Sequence, residues 1–199
     1  MGIYLENTVK DYLSKLSARE SVPGGGSASA LAAALGAGLN LMVLNYSIPA
    51  GGQEDAKTKS LKDARLRQED SMRRLSVLID EDCLVFRALM DALSAKRDAQ
   101  KEYRRAAEVP LKICHECCTS ADITAYLIEN ANKKLLTDVC GAAYILKAAF
   151  FAARLNVEVN LKHIEDDVFV SGTHKELKAC EEKINRTEKQ AGKTYGRID

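Results

Sequence analysis

The chain has 199 residues, 46% hydrophobic and 29% charged, which predicts one domain, residues 1–199, with material for a real core. Its 29 Lys and Arg nearly balance 28 Asp and Glu, and a net charge of +1 argues against a general nucleic-acid binder, whose affinity comes mostly from neutralising phosphates. No signal-peptide or lipidation pattern opens the chain, so a cytoplasmic protein is expected and its six cysteines read as reduced thiols.

Val9, Tyr12, Leu13 and Leu16 recur at helical spacing behind a Thr8/Asp11 start signal, predicting a first helix that ends near Arg19. Pro23-Gly24-Gly25-Gly26-Ser27 follows. Its glycines permit positive φ and close approach, and Ser27 is a good N-cap for a helix from Ala28 to Leu44. No charge occurs between Glu20 and Glu54, so that helix is apolar on every side and must be surrounded by protein or lipid. Ala/Gly richness, Ser29, Asn40 and the lack of a basic flank favour the core of a bundle over a membrane span. The small faces Ala30/Ala34/Gly38 and Ala32/Gly36 suit close packing, across a subunit interface included.

Ile48-Pro49-Ala50-Gly51-Gly52 stops the central helix. From Glu54 to Leu93 an amphipathic helix is predicted, striped by Leu61, Met72, Leu75, Ile79, Asp82, Phe86, Leu89 and Leu93, with Asp80 and Glu81 pointing to solvent. After a break at Ser94–Asp98, Tyr103, Ala107, Cys114, Cys118, Ala121, Ala125 and Ile128 mark a fourth helix kinked by Pro110. A fifth runs from Thr137 to Lys162, with Asp138, Ala142, Ile145, Ala149, Ala152 and Asn156 in line and Lys147, Arg154 and Glu158 on a wet face. Ser171-Gly172 makes a last break, and Thr173 with Glu176 forms a capping box for a terminal helix striped by Leu177, Cys180 and Ile184. Nothing alternates with period two over a strand's length. The fold class is therefore all-α: an up-and-down bundle of long helices around a central Ala/Gly-rich one.

Chemistry concentrates at few positions. The glycine-loop helix entrance leaves N–H groups unpaired at a positive dipole end, a seat for an anion or a polarised oxygen. Asp82 lies on an apolar stripe, where a carboxylate is costly unless bonded. It is either a structural acceptor or a desolvated acid-base group in a cleft. Asp138, near a helix start, is either a site residue or an N-cap. Cys114-His115-Glu116-Cys117-Cys118 invites a zinc reading, but Cys114 and Cys118 fall on the apolar stripe away from His115 and Glu116, so core cysteines are expected and no metal. Lys96, Arg97, Lys101, Arg104 and Arg105 cluster beside a turn, as a solvated face or a guide for a polyanionic tail.

The glycine loop, read together with Leu78–Asp82, Ala106–Leu111, Asn132–Asp138 and Leu155–Lys162 in order, resembles the cyclodeaminase/cyclohydrolase family of folate enzymes over about residues 8 to 167. The resemblance implies an all-helical homodimer with a folate cleft near the subunit interface and neither cofactor nor metal. It brings Gly24, Gly25, Gly26, Ser27 and Asp138 forward for substrate binding and Asp82 for catalysis. Hydrolysis of 5,10-methenyltetrahydrofolate to 10-formyltetrahydrofolate is the implied activity, placed first because the chain is read without a formiminotransferase segment. Formimidoyltetrahydrofolate cyclodeamination and a non-catalytic folate-binding or scaffolding dimer are the alternatives. The partner expected is a folate, with no nucleic acid and no membrane.

Overall fold

The computed structural model describes residues 4–51 and 55–196; Gly52 and Glu54, part of the predicted stop and helix start, lie outside them. The described residues form α-helices and one short 3-10 turn, with no strand among them. The helices are α1 (Val9–Leu16), α2 (Gly25–Ser47), α3 (Ala56–Ser94), α4 (Gln100–Asn130), α5 (Leu136–Leu161) and α6 (Asp167–Tyr195). α2 packs on α3, α4 and α5; α6 closes over α4 and α5. The all-α bundle around a central Ala/Gly-rich helix is thus observed.

Short side chains let α2 and α5 approach closely. Gly36 lies against Leu146, whose Cγ a Cβ would meet at 2.8 Å. Deep between α2, α3 and α4, Asn40 donates to Gln68 (3.2 Å), the Ser120 carbonyl (3.0 Å) and Thr124 (2.9 Å). Gln68 in turn donates to Ser120 Oγ at 2.9 Å. All four are fully buried, and their mutual bonds offset the cost of desolvating them. Asn40 therefore anchors α2 in the core of the bundle.

By length and composition, α2 and the 133–161 segment could each cross a membrane. Here α2 is the hub of the bundle, and its Ala30, Ala33, Ala37, Val43 and Leu44 are buried in protein.

Several expectations change. Thr8 caps α1 through Asp11 N–H, but α1 ends at Leu16, and of its stripe Val9 and Leu13 are exposed while Tyr12 turns in. α2 begins at Gly25, not Ala28; its N-cap is Gly24 and Ser27 lies inside the first turn. No glycine of the loop takes a positive φ. Asp80 is half-buried and accepts from Tyr4 N–H at 2.8 Å, and Glu81 pairs with Lys112 at 3.0 Å. Lys147, Arg154 and Glu158 face α6, where Lys147 pairs with Glu188 and Arg154 with Glu181. α6 starts at Asp167, capped by Asp166, and runs through Ser171-Gly172, so Thr173 is a buried mid-helix residue and not a cap. A single glycine costs a helix about 1 kcal/mol, which packing of Leu177, Cys180 and Ile184 overrides.

Candidate active site

The loop and α3 meet at the α2 N-terminus. The first N–H groups of a helix have no intrahelical acceptor. Of these, Ser27 N–H donates to Asp82 Oδ2 at 2.9 Å, so the cap comes from α3 and not from Ser27's own side chain. Gly26 makes this possible, since a Cβ there would overlap the Asp82 carboxylate. Glycine is needed for close approach. The Gly25 and Gly26 N–H groups keep no acceptor among the described residues and line a cavity.

That cavity holds about 250 Å³ between the loop (Ser21, Val22), the α2 entrance, Asp82, Val85 and Phe86 of α3, Ala106 of α4, and Asn156 and Asn160 of α5. Burial pushes the Asp82 carboxyl up to about 6, the Ser27 N–H partly offsetting it. Behind Ser27, its hydroxyl shares a hydrogen bond with Tyr12 OH at 3.0 Å, and burial raises the Tyr12 phenol. Tyr12 is thereby the buried anchor of α1, beside Leu16, which packs partly buried against the core. Cys83, also beside Ser27, is pushed up to about 11 by burial and stays a thiol at neutral pH.

Pro110 shapes the opposite wall. Lacking N–H, it frees the Ala106 carbonyl four residues back. Asn160 Nδ2 donates to that carbonyl at 3.1 Å and to the Asn156 carbonyl at 2.7 Å. Asn156 Nδ2 donates to the Ala152 carbonyl at 2.9 Å. Asn160 spends both its N–H groups and Asn156 one of its two on backbone carbonyls, and neither side-chain oxygen accepts a hydrogen bond among the described residues. Sequence reasoning overlooked this i, i+4 asparagine pair as a site; its signal was two amides on the turn of α5 that faces a proline-containing helix.

The loop and Asp82 are brought together, but Asp138 is not. It lies in the first turn of α5, eighteen residues before Asn156, about 27 Å away along the same helix. Leu135, and not Asp138, is the N-cap there. Cys114, Cys117 and Cys118 are buried in the core, and burial pushes Cys114 up to about 12. His115 instead pairs with Glu176 at 3.0 Å and Glu116 with Arg74 at 2.6 Å. Among the described residues no group of three or more His, Cys, Asp or Glu could hold a metal ion.

A carboxylate held between a helix N-terminus and apolar walls, with a pKa near neutrality, suits proton transfer beside a developing charge. Comparisons with known proteins agree in kind. Residues 8–179 match the family described as formiminotransferase-cyclodeaminase. A methenyltetrahydrofolate cyclohydrolase of Methylorubrum extorquens is 30% identical over 182 residues, 85% of this chain and 86% of that one. The mouse formimidoyltransferase-cyclodeaminase is 27% identical over 98% of this chain, which spans only 37% of that longer protein. The crystal structure of formiminotetrahydrofolate cyclodeaminase from Thermotoga maritima superposes with a TM-score of 0.90 at 26% identity, covering 97% of this chain and 98% of that one.

Proposed function

Because the chain belongs to the formiminotransferase-cyclodeaminase family, we propose that it is a folate one-carbon enzyme that hydrolyses 5,10-methenyltetrahydrofolate to 10-formyltetrahydrofolate. The observation that carries this reading is the half-buried Asp82 carboxylate, pushed up to about 6 and seated on the α2 N-terminus inside a cavity.

The substrate carries a cationic amidinium carbon between N5 and N10. Asp82, ionised at neutral pH, attracts that cation and takes a proton from the attacking water. The water oxygen bonds to the carbon and a neutral tetrahedral carbinolamine forms. Asp82 then returns its proton to N5 as the C–N5 bond breaks, and the carbinol oxygen releases its own proton to become the formyl carbonyl. One water is consumed and one proton released. The Gly25 and Gly26 N–H groups supply donors for the oxygen, and the Asn156 and Asn160 oxygens accept from pterin N–H groups. Loss of methenyl absorbance above the spontaneous rate is the assay; clean protein that gives no acceleration refutes the reading.

The Thermotoga neighbour keeps cyclodeamination as the second reading, in which the ring closes and ammonia leaves from the same carbon. Ammonia release from formimidoyltetrahydrofolate faster than methenyl hydrolysis reverses the order. Binding of a folate with neither reaction would identify a carrier. No cofactor is assigned to either chemistry, since hydrolysis needs only water, proton transfer and charge stabilisation, and cyclodeamination only the last two. The six free, buried cysteines support a reducing, cytoplasmic setting.

A homodimer is part of the same reading. α2 turns Leu35 and Tyr46 outward, 60% and 70% exposed, and α5 turns out Tyr144, Leu155 and Val159. A Cβ added at Gly141 of α5 would meet Leu39 of α2 at 4.0 Å, so the two helices adjoin on this side. A patch of this kind marks an association site, and a second copy covers it with a matching face.

A further inference from the structure

α4 and α6 lie side by side and parallel, in contact at a heptad repeat. His115 pairs with Glu176 at 3.0 Å, Asp122 with Lys183 at 2.9 Å, and Gln190 donates to Glu129 at 3.2 Å, each pair seven residues beyond the last on both helices. Inside these edge contacts α6 buries Leu177, Cys180, Ile184, Thr187 and Ala191, the three-and-four spacing of a coiled-coil seam. In that seam Cys180 meets Cys118 of α4, and the two thiols are hydrogen-bond partners.

The other cysteines are placed differently. Cys83, Cys114 and Cys140 donate to the carbonyls of Ile79, Phe150 and Ala191, and Cys117 is fully enclosed. Cys118 and Cys180 have each other, and they keep 7% and 8% of their surface exposed, where the other four keep 2% or less. The Cys118 S–H holds the Cys180 thiol below its ordinary value against burial, and the Lys183 ammonium acts in the same direction while Cys114 and Cys117 oppose it. As the donor, and by burial, Cys118 is pushed up. Cys180 is thus the readier of the two to ionise, with a thiol in contact and a cation one turn along α6. A nucleophilic cysteine beside a resolving one has this arrangement.

We propose that Cys118 and Cys180 form an oxidation site for hydrogen peroxide, closing a reversible disulfide that locks α6 to α4. The Cys180 thiolate attacks one peroxide oxygen; the S–O bond forms, the O–O bond breaks and hydroxide leaves. That hydroxide takes the Cys118 proton, and the Cys118 thiolate displaces a second hydroxide from the Cys180 sulfenic acid as the S–S bond forms. The second hydroxide takes up the proton that Cys180 had lost. Two electrons pass from the sulfurs to peroxide, and two waters result. So narrow an opening admits a molecule scarcely larger than water and excludes a peptide disulfide such as oxidised glutathione. The bridge closes a loop through α5, which restricts the unfolded chain and stabilises the bundle. Cys118 is twelve residues beyond Ala106, about 18 Å along α4 from the cavity, so turnover is left alone. The inference stands independently of the folate reading.

The test exposes the full chain to a modest excess of hydrogen peroxide, removes the remainder with catalase and alkylates in denaturant. Two of the six thiols should be lost, and peptide mass mapping should join Cys118 to Cys180 within one chain. The melting temperature should rise by roughly 5–10 °C and fall back with dithiothreitol. Oxidised glutathione at the same concentration should leave all six thiols free. Cys180→Ser should keep its remaining thiols, and Cys118→Ser should strand a Cys180 sulfenic acid that dimedone labels. The mapping is made on the wild type, so a variant that fails to fold does not remove the test. Thiols that all stay reduced, or a bridge between any other pair or between chains, overturn the site. A mapped bridge that leaves the melting temperature unmoved overturns the lock, and a glutathione adduct on either cysteine overturns the selection by size.

Discussion

Burial penalises the Asp82 charge more than the Ser27 N–H relieves it, and this has opposite consequences for stability and turnover. Its folded pKa, about 6, lies above the 3.8 of a free carboxyl, so the native state holds the proton more tightly than the unfolded chain. The resulting stabilisation is fully present below pH 4 and is lost as pH rises through 6, bounded at about 3 kcal/mol for a shift of about two units. Asp82→Asn cannot titrate, so its melting temperature should gain on the wild type between pH 4 and pH 6. Turnover should fall ~10²–10⁴-fold with substrate binding kept, and the wild-type rate should show an acid limb near pH 6 that the variant lacks. A destabilised but fully active variant would move the chemistry elsewhere. Asp80→Asn is no neutral control, because Asp80 holds Tyr4 N–H. Gly51→Ala is better, away from the cavity and with no atom within 4 Å of the added carbon, against Gly26→Ala, whose Cβ displaces the Asp82 carboxylate. Because the displaced group is the mobile end of a side chain, Gly26→Ala should cost activity 100-fold or more and stability only modestly.

Helix pairing shows why some of the site could be read from the sequence and some could not. The glycine loop, the apolar α2 and a carboxylate on the α3 stripe are local patterns, and each forms as its residue types dictate. That Asp82 caps α2 is a contact across 55 residues, and no spacing rule encodes it. Asn156 and Asn160 were hidden for the same reason. Their partner is the carbonyl that Pro110 frees on another helix. The exposed Val9 and Leu13 misled because periodicity reports which residues share a face, and says nothing of whether anything covers it. The Pro110–Asn160 coupling can be measured. Asn160→Ala should cost about 1–3 kcal/mol in chemical denaturation, leaving a half-buried carbonyl without a donor. In a Pro110→Ala background, residue 110 donates to Ala106 itself, and the same substitution should cost less, giving a non-zero coupling in the double-mutant cycle. Additive costs would show that Asn160 acts through something other than that carbonyl.

For the whole molecule, the apolar outer face of α2 and α5 and the stranded position of Asp138 are one problem. A second copy related by a two-fold axis perpendicular to α5 would lie antiparallel to the first across that face. An axis near the middle of α5 would carry the start of one α5 alongside the end of the other, and with it Asp138 of one copy toward the Asn156 cavity of its mate. The 27 Å that separates Asp138 from the cavity within one chain would then not separate them in the pair. Leu155→Glu, at a position 71% exposed, should leave the isolated fold intact and give a monomer by light scattering, with activity lost in parallel. A monomer that partitions onto vesicles before any substitution would point to lipid as the partner of the face. The decisive measurement mixes two inactive chains, Asp82→Asn and Asp138→Asn. If each site draws Asp82 from one copy and Asp138 from the other, every mixed dimer has one site with both carboxylates. Half the dimers are mixed at equal ratio, so roughly a quarter of wild-type activity should return on re-equilibration. Sites built within single chains would return none, and Asp138 would then be only a first-turn residue of α5.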